Sequence, residues 1–183
     1  MDHFYIITGG PGSGKTTLLN ALKQQDFQHS QEAGRHIIQD QLKIGGKALP
    51  WLDPAFFAEL MLSWEMRSYL LATQERSDRP YFFDRGMADI AGYLTLSGLS
   101  VPDHVRQAAQ HYTYNTTVFI APHWPEIYQA DAERKQTPQE AERTFAVMVQ
   151  TYQAYEFTLL HLPKTDVKAR VEFVLNHISP SHT

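Results

Sequence analysis

Cysteine is absent from all 183 residues, which removes disulfides, thiolate metal sites and Cys nucleophiles and is compatible with a reducing compartment. A basic excess is absent too. With 16 Lys and Arg against 20 Asp and Glu, the formal net charge is -4, so nonspecific attraction to nucleic acid or anionic membrane is not expected to dominate and any anion site must be local. Long apolar runs are also missing: Met1-Asp2-His3-Phe4 has no basic region, and Phe4 to Thr8 is too short for a signal-peptide core or a membrane span. The expected location is the cytoplasm, with neither membrane nor nucleic acid as partner. Nine histidines are scattered without an HExxH pattern or tight ligand cluster and read as structural or surface residues.

What is present describes an ordinary globular chain, since 43% of residues are hydrophobic and only 20% charged, the opposite of a disordered composition. The length fits one domain over residues 1–183, with a mobile insert. Short apolar runs alternate with helical patterns, the sequence form of an α/β sheet. Phe4-Tyr5-Ile6-Ile7, Pro80-Tyr81-Phe82-Phe83, Thr117-Val118-Phe119-Ile120 and Phe157-Thr158-Leu159-Leu160 are the clear strands, and another is expected near His29 to Gln31. Their continuous apolar character suggests strands covered on both faces, as in a parallel sheet. Helix starts are readable at Asp53-Pro54, ahead of Phe57, Leu60, Met61, Trp64 and Leu71, and at Thr137-Pro138-Gln139-Glu140, a capping box ahead of Phe145, Met148, Val149 and Tyr152. Val167, Val171, Val174 and Ile178 form a last amphipathic face. The polar segment 123–136 is expected to be a lid, and Ile44 to Trp51, with paired glycines, a second mobile loop.

The most specific feature is Gly9-Gly10-Pro11-Gly12-Ser13-Gly14-Lys15-Thr16, which satisfies G-x-x-x-x-G-K-[ST] between a strand and a helix, where the chemistry requires it. Glycines let the backbone close around phosphate oxygens with its N–H groups inward, and the helix start adds the positive end of its dipole. Lys15 is expected at the β- and γ-phosphates, the Thr16 hydroxyl on Mg²⁺, and Thr17 on the α-phosphate side. Together these predict binding of a nucleoside triphosphate, ATP with Mg²⁺, through Gly9 to Thr17.

Asp84, at the end of the second clear strand, is the candidate metal-holding acid; the alternative is an N-cap for a helix over Met87 to Leu96. Arg85 follows it where many ATPases carry a water-polarising glutamate, which favours a kinase in which the arginine steadies the transferring phosphoryl. No N-K-x-D tetrapeptide is present for guanine. Glu32 is the candidate acceptor-side base and Arg35 a phosphate contact; both also suit a solvated helix start. Arg134 is the candidate lid cation, with Lys135 and Arg143 beside it.

The P-loop, Glu32-Ala33-Gly34-Arg35, Phe83-Asp84-Arg85-Gly86, Pro122 to Tyr128 with Asp131 to Arg134, and Leu162-Pro163 together resemble a family of small bacterial ATPases of the AAA type. That family is itself similar to the kinase domain of ribosylnicotinamide kinases. The resemblance implies an adenylate-kinase-like, three-layer P-loop NTPase fold with a parallel five-stranded sheet and small lid, ATP and Mg²⁺, and a small phosphate acceptor. The expected function is therefore a kinase moving the γ-phosphoryl group to a nucleoside-like or other hydroxyl acceptor. The alternative is an ATPase or nucleotide-controlled switch acting on a protein partner. A homodimer stays open.

Overall fold

Alternation along the first strand sets up the layers. In the computed structural model, which describes residues 2–75, 77–127 and 137–178, strand β1 (Phe4–Gly9) is buried along its whole length. Phe4 and Ile6 point to one face and Tyr5 and Ile7 to the other, because successive side chains on a strand point to opposite faces of the sheet. Both faces must then be covered.

Strands β2 (Gln28–His29), β3 (Tyr81–Asp84), β4 (Thr117–Ala121) and β5 (Thr158–His161) join β1 in a parallel sheet of order β2-β3-β1-β4-β5. Helices α1 (Lys15–Lys23) and α7 (Val167–His177) cover the Tyr5 and Ile7 face through Leu18, Leu22, Val171 and Val174. Helices α3 (Pro54–Gln74), α4 (Met87–Leu96), α5 (Asp103–His111) and α6 (Pro138–Ala154) cover the other. Helix α2 (Ala33–Ile44) packs on α3 in a smaller cluster built on Ile37, Ile38 and Phe57. This is the three-layer α/β/α architecture with five parallel strands expected from the sequence. Among the described residues, no helix is long and apolar enough to cross a membrane.

The helix ends follow the capping chemistry. Asp53 accepts the Phe56 amide at 2.9 Å, and Thr137 and Glu140 exchange bonds as a capping box before α6. Two expectations need adjustment. The expected α3 stripe holds at Phe57, which is buried with Leu60, Met61 and Trp64 packed beside it, but Leu71 is 48% exposed, and Ala58, Leu62 and Ala72 are the side chains that α3 turns into the main core. The loop from Ile44 to Trp51 is irregular as expected but pinned: Leu49 packs in the α2–α3 cluster, and the Gln41 side chain accepts the Ala48 amide at 3.1 Å.

At the centre of the sheet the chain comes very close to itself. Gly9 has φ 131° and lies beside β4, where a Cβ would sit 2.4 Å from the Ala121 carbonyl oxygen. Only glycine fits there without moving backbone. We expect Gly9→Ala to lower unfolding stability by roughly 2–4 kcal/mol, read as a lower urea midpoint at unchanged slope; an unchanged midpoint would contradict the close approach.

Candidate functional site

Strand order reverses around β1, so the crevice beyond its carboxyl end is where an open parallel sheet binds ligands. Residues Gly9 to Gly14 turn there into α1, with Gly12 and Gly14 in the left-handed region at φ 73° and 82°. The Ser13 hydroxyl donates to the Gly10 carbonyl at 2.8 Å and closes the loop. Since α1 starts at Lys15, the amides of its first turn have no acceptor within the helix and can face an anion.

Lys15 is 5% exposed and its Nζ donates to the Gly9 and Gly10 carbonyls at 3.0 Å each. Burial lowers its pKa to about 8, with Arg85 adding repulsion and Asp84, Glu32 and Asp89 opposing the shift. A polyphosphate would restore what burial removes.

Register places the other charged groups. Asp84 pairs with Ile7 across β3 and β1, which sets its carboxyl beside the base of the loop, and its amide donates to the Ser30 hydroxyl at 2.9 Å. Burial pushes the Asp84 carboxyl up to about 6, against the pull of Lys15 and Arg85. Gly86 is the N-cap of α4, so Asp84 is not the cap residue. Arg85 stands at φ 77°, rare for a side-chain-bearing residue. Two carboxylates hold it there: Asp89 at 3.3 Å and Glu32 at 3.5 Å. Burial works against its charge, but Glu32, Asp89 and Asp84 keep the guanidinium above the ordinary arginine value. Asp89 is the hub, accepting from the Thr8 and Tyr152 hydroxyls and from the Gly86 amide at 2.9 Å.

Two cavities flank this cluster. One, of about 620 Å³, is lined by Pro11, Gly12, Gly14, Lys15, Thr16 and Thr17, with Trp124 and Arg170 opposite. The second, of about 290 Å³, lies over Arg85 and Asp89 between α2, α3 and α4. Pro11, Glu32 and Arg35 line both. The structure thus brings Glu32, Arg35, Asp84 and Arg85 around the loop, with Glu32 as the N-cap of α2, so a helix-start position and a place at the cavities coincide. Arg134 and Lys135, with most of the expected 123–136 lid, lie outside the described residues. Arg143 is exposed on α6 and lines neither of these two cavities.

Three residues at this site escaped sequence reasoning. Arg170 on α7 is 3% exposed, donates to the Ser13 carbonyl at 3.1 Å and packs under the Trp124 ring at 5.6 Å. Asp89 and Glu65, 5% and 2% exposed, are the others. A shared signal marks them: each is a charge set among apolar neighbours in a buried helix face.

The loop and its neighbours suit a triphosphate with Mg²⁺. Asp84 Oδ1 is buried with no hydrogen-bond partner among the described residues, and Thr16 is exposed in the larger cavity. One carboxylate and one hydroxyl match an ion that takes its remaining ligands from phosphates and water.

Comparison with known proteins adds the family and the fold. A family described as an AAA domain matches residues 4–170. No functionally curated protein matches the sequence. Among solved structures, a deoxyadenosine kinase from M. mycoides with dCMP and a flexible dCDP bound superposes at TM-score 0.67 with 14% identity, covering 94% of this chain and 97% of that one. The same kinase with bound dATP gives TM-score 0.64 at 15% identity, over the same shares of the two chains. NadR protein in complex with NR gives TM-score 0.73 at 12% identity, covering 96% of this chain but 51% of that one. At these identities the likeness establishes the fold.

Two outcomes are expected. The ammonium of Lys15 is present below its pKa of about 8 and lost above it, so ATP affinity should be level near pH 7 and fall by up to about tenfold per pH unit above pH 8; calorimetry showing no change up to pH 9.5 would contradict this. Asp89→Asn sets an amide N–H₂ against groups that already donate, and should cost about 2 kcal/mol of unfolding stability in urea titration.

Proposed function

Because this chain belongs to the AAA-domain family, whose match spans residues 4–170, we propose that it is an ATP-dependent kinase that phosphorylates a hydroxyl of a small acceptor. One observation carries this reading: the P-loop cavity and the second cavity share a wall, and Glu32, a carboxylate, stands in it. The fold shared with the deoxyadenosine kinase and NadR structures supports it.

In this mechanism the loop amides and Lys15 hold the β- and γ-phosphates of ATP in the larger cavity. Thr16 and Asp84 would hold Mg²⁺, which supplies charge neutralisation across those phosphates when bound. The acceptor occupies the second cavity with its hydroxyl toward Glu32. Its oxygen forms the new bond to the γ-phosphorus while the bond to the β–γ bridging oxygen breaks, leaving ADP. Glu32 takes the hydroxyl proton. Arg85, charged and fixed by two carboxylates, faces the negative charge that spreads over the moving phosphoryl group, and Arg35 approaches it from the shared wall.

Positioning is the main catalytic device. A transferring group bound between two preformed cavities needs little reorganisation, and the strained Arg85 backbone is the conformational cost of aiming its side chain.

The test is ADP release from MgATP with and without a pool of nucleosides and related hydroxyl compounds. Release that depends on an acceptor is expected, and acceptor-independent turnover would favour an ATPase or switch instead. With an acceptor in hand, Glu32→Gln should lower kcat by about 100-fold or more while the Kd for ATP stays within about threefold. Equal losses in both would contradict the base role.

A further inference from the structure

The second cavity contains a carboxyl group that the phosphoryl-transfer chemistry does not use. Glu65 lines it from the middle of α3, is 2% exposed, and its Oε2 has no hydrogen-bond partner among the described residues. Along α3 it follows Phe57 and Met61 at four-residue steps, so the three stand on one helical face, and all three line the cavity. Ile90 and Tyr93 face it from α4. An unpaired carboxyl costs stability in such a place. A buried, unsatisfied polar atom bordering a cavity calls for a partner, and a ligand in that cavity would supply one.

Size limits the occupant. About 290 Å³ lies at the lower end of small-molecule pockets, which run from roughly 300 to 1,000 Å³, so a single small molecule fits and a peptide does not. Aromatic and apolar walls at Phe57, Met61, Ile90 and Tyr93 favour a flat ring, whose faces stack without hydrogen bonds.

We propose that Glu65 reads the head of the acceptor, and that this head is a planar heteroaromatic or carboxamide group with a hydrogen-bond donor and acceptor side by side on one edge. The acceptor is then a nucleoside-like alcohol: its head pairs with Glu65, and its hydroxyl reaches Glu32. The assignment of the hydroxyl rests on the kinase reading above, whereas recognition of the head does not.

The charge state of Glu65 supports the pairing. Burial first, then the carboxylates of Asp89, Asp84 and Glu32, hold its carboxyl well above the usual range, with Arg85 alone opposing. These causes favour the protonated carboxyl, and in that form it offers one O–H donor and one C=O acceptor, the complement of an amide or amidine edge. Ketones and plain hydrocarbons present no such pair, and sugar hydroxyls present it without a flat face to stack on the aromatic walls.

Binding isolates the inference from turnover. Adenosine, cytidine and nicotinamide riboside, with ribose as the headless control, are titrated by calorimetry into the whole protein with a non-hydrolysable ATP analogue and Mg²⁺. At least one head-bearing compound should bind, and ribose should bind at least about tenfold more weakly. Glu65→Leu should weaken that compound by about 10- to 100-fold with the nucleotide analogue unaffected. Glu65→Gln, which keeps a donor beside an acceptor and nearly the same shape, should stay within about fivefold of the native protein. Thermal unfolding should give Glu65→Leu a Tm no lower than the native protein's, since it removes an unpaired buried carboxyl.

The proposal is overturned if no head-bearing compound binds, if ribose binds as well, if the Leu variant binds like the native protein, or if the Gln variant loses as much as the Leu variant. Glu65-dependent binding without any ADP formation would leave this site standing and overturn the kinase reading. Phosphorylation of ribose irrespective of Glu65 would do the reverse.

Discussion

A lysine ammonium enclosed at the mouth of a parallel sheet, donating to two main-chain carbonyls, is the interaction around which this structure is arranged. Burying a cation is costly unless it is paired. Here the pairing is spread over the field of Asp84, Glu32 and Asp89 rather than vested in one ion pair, and Arg85 works against it. The site therefore holds a cation partly desolvated and incompletely neutralised, a state that a phosphate chain with its counter-ion would complete. Everything else serves that geometry: glycines in left-handed conformations turn the loop, Arg170 braces it from α7 through the Ser13 carbonyl, and Gly9 lets β1 lie against β4.

The topology explains why the acceptor-side groups lie where they do. Because β3 sits next to β1, the residues that leave β3 arrive beside the P-loop, and β2 on the far side of β3 delivers Glu32 toward the same spot. Arg85 is the joint between them. Its positive φ is held by contacts to α4 through Asp89 and to the start of α2 through Glu32, so three segments distant in sequence are tied through one guanidinium. A change in any one segment would be felt by the others, which is how a fold built from separate βα units can present one coherent site.

Much of this was legible from residues alone, for identifiable reasons. The loop from Gly9 to Thr16 is read because its chemistry demands glycines and a lysine at fixed spacing, and strand and helix flank it as required. The helix starts at Asp53 and Thr137 are local, depending on residues three apart, and the strands announce themselves as apolar runs. What failed to show is what tertiary structure decides. Strand β2 was expected near His29 to Gln31 and is present, but at Gln28–His29, because a strand of two residues carries too little signal to fix its ends. Leu71 looked like core because spacing fixes a helical face but not which part of it meets the sheet. Asp89, Glu65 and Arg170 each occupy a position that periodicity assigns to an apolar side chain, and only packing reveals that each is enclosed beside a cavity or a hydrogen-bond hub. A charge inside an apolar stripe is the sequence trace such residues leave, and it is best read as a pointer to a site.

Amide hydrogen exchange across residues 9–17 tests the central claim most directly, because the account rests on main-chain N–H groups meeting phosphate oxygens. ATP with Mg²⁺ should slow exchange at the amides following Gly10 and in the first turn of α1, while adenosine, which has no phosphates, should leave them unchanged. Equal protection by both ligands, or none by ATP, would contradict the phosphate cradle and the function derived from it.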